Sequence, residues 1–158
     1  MKKTRVMSIG CILVLVFCMF GLSLNVYAKE GAKQIDGSYL TDESESIGYD
    51  TKITRGEDLL AGYSKCVRLP NGHLYVGGTT VACQVVERIG LAVIIERAKE
   101  EDTSWERYDG WILHEENTDR IASNEELEVE GGYYYRVRCL HSANNDGSSS
   151  FTDGIFIE

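Results

Sequence analysis

From about Ser64 to its end, the chain alternates apolar and polar residues with a period of two. The pattern is clearest in VACQV, residues 81–85, and in LAVIIE, residues 91–96. A period of two indicates β-strands that each bury one face. Turn-forming residues separate these runs, at 70–72, 77–78, 109–110, 131–132 and 145–147. Residues 64–158 are therefore predicted to form an all-β domain.

One segment of this domain has a composition that also suits a helix. Residues 96–107, ERAKEEDTSWER, contain good helix formers but no apolar stripe at helical spacing. We predict a strand, a turn and a second strand here. Seven or eight short strands over this length are typical of a two-sheet antiparallel β-sandwich. The predicted strands lie near 64–69, 73–76, 79–87, 90–98, 104–114, 119–129, 132–142 and 149–157.

The N-terminus has the pattern of a secretory signal peptide. A basic start at residues 2–5 precedes an uncharged run over Val6 to Val26 and small residues up to Ala28. We predict cleavage after Ala28 and a secreted, extracellular protein. The alternative is an uncleaved anchor, because the run approaches the ~20 residues that span a bilayer.

The charge of the predicted mature chain narrows its partners. Removal of residues 1–28 leaves 13 Lys and Arg against 25 Asp and Glu. This balance excludes nucleic acid, whose phosphates require the opposite sign, and it disfavours an anionic membrane surface. Residues 29–63 are polar, acidic and rich in Ser and Gly at their start, so we predict a flexible acidic leader before the sandwich at 64–158.

The C-terminal third resembles the E-to-G region of a fibronectin type III domain. Leu127 lies six residues before Tyr133, and the following strand places Tyr135 and Val137 on the same parity. The resemblance implies an immunoglobulin-like or fibronectin type III-like sandwich in which Tyr133 is the tyrosine-corner residue. A shift of two gives that role to Tyr135, with Val129 in place of the leucine. The tryptophan that the family places on its second strand is absent.

The whole chain also resembles a family of small exported proteins of Gram-positive bacteria that carries a domain of unknown function. The residues of the likeness are the DGSYLT stretch, the TRGEDLLAGYSK segment, the GGTT run and the YYYRVR strand. The family has no assigned activity, so the likeness implies only a compartment and a fold.

The YYYRVRC strand predicts a division between core and surface. Tyr133, Tyr135 and Val137 are expected in the core, while Arg136 and Arg138 stand on the outer face. Glu96 is a candidate partner for both arginines, in cross-strand pairs of roughly 0.2–1 kcal/mol each. The alternative is that an arginine and aromatic ladder binds a ligand.

The predicted mature chain has three cysteines, so it forms at most one internal disulfide. Cys83 and Cys139 share inward parity on strands of opposite sheets, which makes them a candidate disulfide. Two buried thiols are an equal alternative, and Cys66 is then the unpaired residue.

No catalytic, cofactor or metal site is predicted. The histidines His73, His114 and His141 lie far apart in the sequence without metal-ligand spacing, and no nucleophile elbow occurs. The acidic pairs fall at turns and exposed edges. The asparagines and aspartate of residues 144–147 are too few for calcium, so a tight turn is expected.

The residues therefore favour a secreted, non-catalytic binding module for an unknown extracellular protein or glycan. Its candidate binding face comprises Tyr108, Trp111, Tyr134 and Phe151. The alternatives are a small extracellular hydrolase with an unrecognised active site and a structural protein of the cell envelope.

Overall fold

The computed structural model describes residues 32–50 and 56–158. The predicted signal peptide lies outside these residues. The described residues contain a single 3₁₀ turn, no α-helix, and no helix with the length and hydropathy needed to cross a membrane. The strands are β1 (Gln34–Ile35), β2 (Ser38–Thr41), β3 (Glu45–Tyr49), β4 (Leu59–Leu69), β5 (His73–Ala98), β6 (Glu106–Glu128), β7 (Tyr133–Ala143), β8 (Asp146–Phe151) and β9 (Gly154–Ile157).

These nine strands form one mixed sheet that curls around its core. Its order is β1-β2-β9-β7-β5-β4-β3, with β6 added to β5 and β8 added to β7. All pairs are antiparallel except β2 with β9. Side chains connect β3 to the segment after β8, since the Ser46 hydroxyl accepts a hydrogen bond from the amide of Asp153 at 2.9 Å.

Two long strands carry the curl. β5 spans 26 residues and β6 spans 23, and the two pair along nearly their whole length. Their register shifts between Val81 and Val86, where β5 contains more residues than β6. Such a bulge bends a strand and increases its twist. The N-terminal half of β5 therefore pairs with β4, and its C-terminal half pairs with β7.

The core lies inside the curl, between β4, β5 and β7. It contains aliphatic residues of β5 such as Leu91 and Val93, together with Val137, Cys139 and Ile155. A smaller cluster of Ile35, Leu40 and Ala98 lies on the opposite face of the sheet. The sheet thus buries both faces at the end where β1 and β2 cover it.

The all-β prediction is confirmed, and residues 96–107 form the predicted strand, turn and strand. Two expected turns are absent, because the strands continue through residues 77–78 and 109–110. Glycine is needed at residue 78 for close packing. A Cβ there would lie 2.5 Å from Cys139 Sγ and 2.8 Å from the carbonyl oxygen of Tyr63.

The prediction of a flexible leader over residues 29–63 is wrong where the structure describes it. β1, β2, β3 and the start of β4 all lie in this range. Asp36 and Gly37 form a two-residue hairpin loop, and both have positive φ, 44° and 83°. That geometry is the type I′ turn that Asp-Gly favours. The sequence carried this turn signal, but the polar composition around it masked the hairpin.

Of the two tyrosines considered for a tyrosine corner, Tyr135 makes the hydrogen bond expected of that residue. Its ring is fully buried, and its hydroxyl donates a hydrogen bond of 2.8 Å to the carbonyl of Glu130. Val129, six residues before Tyr135, is also buried. Tyr133 only packs against the edge of the core. The predicted core position of Val137 is confirmed.

The candidate disulfide between Cys83 and Cys139 is absent. Cys139 and Cys66 are buried thiols, whereas Cys83 is exposed. Ala82 faces inward in this part of β5, so Cys83 faces outward, and odd-numbered positions face inward only beyond the bulge. Burial raises the pKa of Cys66 and of Cys139 to about 12 in each case.

We predict that an alkylating reagent modifies Cys83 in the native protein and spares the other two described cysteines. Only a thiolate reacts quickly, and Cys66 and Cys139 are both shielded and held protonated. Peptide mapping by mass spectrometry after iodoacetamide treatment measures this. Labelling of Cys66 or Cys139 before unfolding, or a disulfide joining Cys83 to Cys139, would contradict the described core.

Candidate functional site

A trough of about 230 Å³ lies on the outer face of the sheet, above the middle of β5. Its floor is formed by the small residues Gly90 and Ala92. Ala92 pairs with Ile112 of β6 on one side and with Leu140 of β7 on the other. Ile112 and Leu140 are 68% and 46% exposed. Two small residues on the central strand, between larger ones on its neighbours, thus create an apolar depression.

One end of the trough is polar. A Cβ on Gly90 would lie 2.4 Å from Ser142 Oγ and 2.8 Å from His114 Nδ1. The imidazole and the hydroxyl therefore both lie above this glycine, within reach of a ligand in the trough. An apolar surface with a few placed polar groups is the usual composition of a binding site.

Sequence reasoning did not find this trough. The predictive signal was small residues at positions 90 and 92 of a strand otherwise rich in branched residues. Alternation places both on one face, but their neighbours on β6 and β7 depend on a register that the sequence alone does not fix.

The four aromatic residues predicted as a binding face do not form one surface. Tyr108 packs edge-on against the buried ring of Tyr135 at 5.4 Å, and Trp111 packs against the core and donates a hydrogen bond to Ser123. On the opposite face, Tyr134 packs beside Phe156 at 5.0 Å. The ring of Phe151 lies 5.5 Å from the guanidinium of Arg136, also on this opposite face.

Arg136 and Arg138 do pair with Glu96, as predicted. Arg136 Nε lies 2.7 Å from one carboxylate oxygen of Glu96, and Arg138 lies 2.7 Å from the other. The predicted position of Arg136 on a solvated face is wrong, because its side chain is only 1% exposed. β1, β2 and the turn before β6 cover it.

The protein's own groups satisfy the buried guanidinium of Arg136. It donates to the Asp36 carboxylate at 2.8 Å, to the Asp36 carbonyl at 2.9 Å and to the Ser38 hydroxyl at 3.0 Å. The ring of Trp105 lies 4.7 Å from it. The Arg136 guanidinium lowers the pKa of the Asp36 carboxyl, mainly through their hydrogen bond. Groups of the protein therefore occupy the hydrogen-bond donors of Arg136, and no open ligand site exists at this residue.

The three histidines lie in separate environments. His73 Nδ1 is 3.1 Å from Glu126, His114 borders the trough, and His141 is buried in β7. Among the described residues, no group of three or more His, Cys, Asp or Glu side chains is arranged to hold a metal ion. Asn144 in the turn between β7 and β8 donates to the Asp58 carboxylate, and Asp146 at the start of β8 accepts the backbone amide of Asp58.

His141 belongs to a buried hydrogen-bonded chain. Its Nε2 is 2.9 Å from the Ser150 hydroxyl, and its Nδ1 is 2.9 Å from the Thr80 hydroxyl. Thr80 donates its own proton to the carbonyl of Gly90, so it accepts from Nδ1–H of His141. Ser150 then donates to Nε2. This assignment gives every polar atom in the chain a partner.

The contact between Ser150 and His141 has the spacing of a nucleophile and its base, but not the setting. Both residues are at most 2% exposed. The second imidazole nitrogen faces a threonine rather than a carboxylate. The backbone of Gly62 packs directly against the His141 imidazole, since a Cβ there would lie 2.3 Å from the ring. In this conformation no substrate can reach Ser150, and the chain acts as a polar part of the core.

Comparison of this chain with known protein families, with curated proteins and with solved structures found no match.

We predict that Arg136→Met lowers the free energy of unfolding by about 3 kcal/mol, because it leaves the buried carboxylate of Glu96 with one partner fewer. Urea unfolding measures the change. The matched variant Arg138→Met removes a more exposed partner of the same carboxylate and should cost less than about 1 kcal/mol. Equal effects of the two substitutions would contradict the buried role of Arg136.

A second prediction concerns pH. Burial lowers the pKa of His141 from 6.5 to about 4 in the folded protein. Protonation therefore favours the unfolded chain, whose histidine has the ordinary pKa. The contribution of this neutral histidine is complete above pH 6.5 and is lost as the pH falls towards 4, by about 3 kcal/mol in total.

The Hε1 resonance of His141 in an NMR titration measures this pKa directly. We expect the neutral chemical shift to persist down to about pH 5. A midpoint near 6.5 in the folded protein would show that the imidazole is solvated, and would contradict the buried chain.

Proposed function

We propose that this protein is an exported, non-catalytic binding module that holds an apolar side chain of a protein ligand in the trough above Gly90 and Ala92. The trough is the single observation that carries the proposal. It joins an aliphatic surface, with Ile112 and Leu140 largely exposed, to a polar end at His114 and Ser142.

The lining of the trough favours a protein ligand over a glycan. Apart from the imidazoles of His114 and His141, the lining residues carry no ring, and glycan recognition relies on stacking against aromatic side chains. Exposed aliphatic residues instead suit the apolar anchor of a protein ligand. The aromatic residues that suggested glycan contact are engaged elsewhere, with Tyr108 against Tyr135 and Phe151 beside Arg136.

Export is the second element of the proposal and rests on the sequence. Residues 1–28 have the order of charge, apolar run and small residues that signal peptidase reads. After removal of residues 1–28, the excess of Asp and Glu over Lys and Arg suits a protein that works outside the cell.

We also infer a distant relation to the immunoglobulin-like and fibronectin type III sandwiches. The bond from the Tyr135 hydroxyl to the carbonyl of Glu130 supports it, as does the facing of β4 and β7 across one core. The long continuous strands β5 and β6 set this chain apart from a sandwich of two separate sheets.

A substitution that fills the trough tests the binding proposal. The purified protein, Ala92→Tyr and Ala122→Tyr are each applied to an array of displayed extracellular peptides and glycans. Ala122 is an exposed alanine of the same strand β6 that borders the trough, but it lies beyond the bend, so it provides a matched control.

We expect Ala92→Tyr to bind the retained peptides at least tenfold more weakly than the unsubstituted protein, and Ala122→Tyr to bind them equally well. The added ring occupies the space of the ligand without disturbing the core. If no array member is retained, or if Ala92→Tyr retains the same members equally well, the trough is not the binding site and the proposal fails.

A further inference from the structure

β6 has one edge without a partner strand. It pairs along its length with β5, and no other strand in the part of the chain that the structure describes pairs with it. An unpaired edge presents a row of backbone donors and acceptors, which is a template for another strand.

Side chains of β6 close this edge at two places only among the described contacts. Asp109 Oδ1 accepts the amide of Gly110 at 2.7 Å. Thr118 Oγ1 accepts the amide of Arg120 at 3.4 Å and donates to its carbonyl at 3.3 Å. Residues 111–117 lie between these two closures, and the extended part ends at Asn117, whose φ is 55°. This segment is long enough to pair with a short extended peptide.

The charge of β6 selects the chemistry of such a partner. The strand contains eight Asp or Glu residues and two Arg residues, and Glu115 and Glu116 lie in the open segment. A second copy of the chain would place like charges beside one another across the new pair, which is destabilising. A basic segment would place opposite charges there.

The open segment also offers an apolar contact. Ile112 is 68% exposed on the outer face and ends the row that crosses Ala92 and Leu140. An apolar residue of an added strand would extend this row beyond Ile112.

We propose that residues 111–117 of β6 bind an extended, basic segment of a partner protein by strand addition. The proposal deepens the binding function proposed above and rests on it, since it names the class of partner and the way its backbone is held. Backbone hydrogen bonds to the edge provide affinity, and alternate side chains provide specificity, as in other cases of strand addition. The partner's Lys or Arg residues lie near Glu115 and Glu116, and an apolar residue packs on Ile112.

The probe is a nine-residue peptide of alternating lysine and valine, titrated into the labelled full-length protein. Backbone amide shifts in NMR locate the site, and fluorescence anisotropy at physiological salt gives the affinity. Two further peptides separate the contributions. One has the lysines replaced by glutamates, and the other carries N-methyl groups on alternate residues of one edge, which removes the donors that strand addition needs.

A pair of double variants supplies the matched control. Glu115→Lys/Glu116→Lys reverses two charges in the open segment. Glu125→Lys/Glu128→Lys makes the same change in charge on exposed residues of β6 beyond the bend.

We expect the lysine peptide to shift the amide resonances of residues 111–117. Its affinity should fall at least tenfold in Glu115→Lys/Glu116→Lys and change less than threefold in the control variant. The N-methylated peptide should not bind. Equal binding of the N-methylated peptide would overturn strand addition, as would equal losses from the two double variants or no binding of the lysine peptide.

The two proposals fail separately. Suppose that the unsubstituted protein binds array members that Ala92→Tyr does not bind, while the lysine peptide does not bind. Strand addition is then wrong, and the trough remains the binding site. If the lysine peptide binds at residues 111–117 while Ala92→Tyr changes nothing, the edge binds the partner without the trough.

Discussion

The N-terminal part of the sheet depends on the hydrogen bonds of the buried Arg136 guanidinium. A cation at 1% exposure is costly unless each of its donors has a partner. Glu96 supplies one from the neighbouring strand, and Asp36 and Ser38 supply the others from the β1–β2 hairpin. The hairpin must therefore stay on the sheet for the arginine to remain buried. Trp105 covers the same group and donates to the carbonyl of Ile35, which ties the turn before β6 to the hairpin.

Long strands and small residues explain the remaining architecture. A bulge bends β5 and β6 so that one continuous sheet encloses its own core, without a break into two sheets. The enclosed space is narrow, so Gly62 and Gly78 lie against His141 and Cys139 with no room for a Cβ. On the outer face, Gly90 and Ala92 leave the trough. Small residues therefore allow close packing inside the sheet and form the candidate site on its outer face.

The sequence predicted what depends on local alternation and missed what depends on register. The strand character of residues 64–158 and the pairing of Glu96 with Arg136 followed from a period of two. The exposure of Cys83 did not, because one bulge reverses parity without a local signal. The hairpin at Asp36 was hidden by its polar flanks, whose stability comes from an arginine about 100 residues away in the chain. Composition cannot predict a contact of that range.

Hydrogen exchange of the β2 amides tests the central claim, that Arg136 makes the hairpin an integral part of the sheet. The Leu40 amide, bonded to the carbonyl of Lys33 at 2.8 Å, is the reporter, and the buried Val137 amide in β7 is the reference. If Arg136 holds the hairpin, Leu40 exchanges with the same opening free energy as Val137. In Arg136→Met, Val137 loses only the protection that corresponds to the lower global stability, and Leu40 loses more than that. Fast exchange of Leu40 in the unsubstituted protein, with Val137 still protected, would show that the hairpin opens independently and would contradict the account.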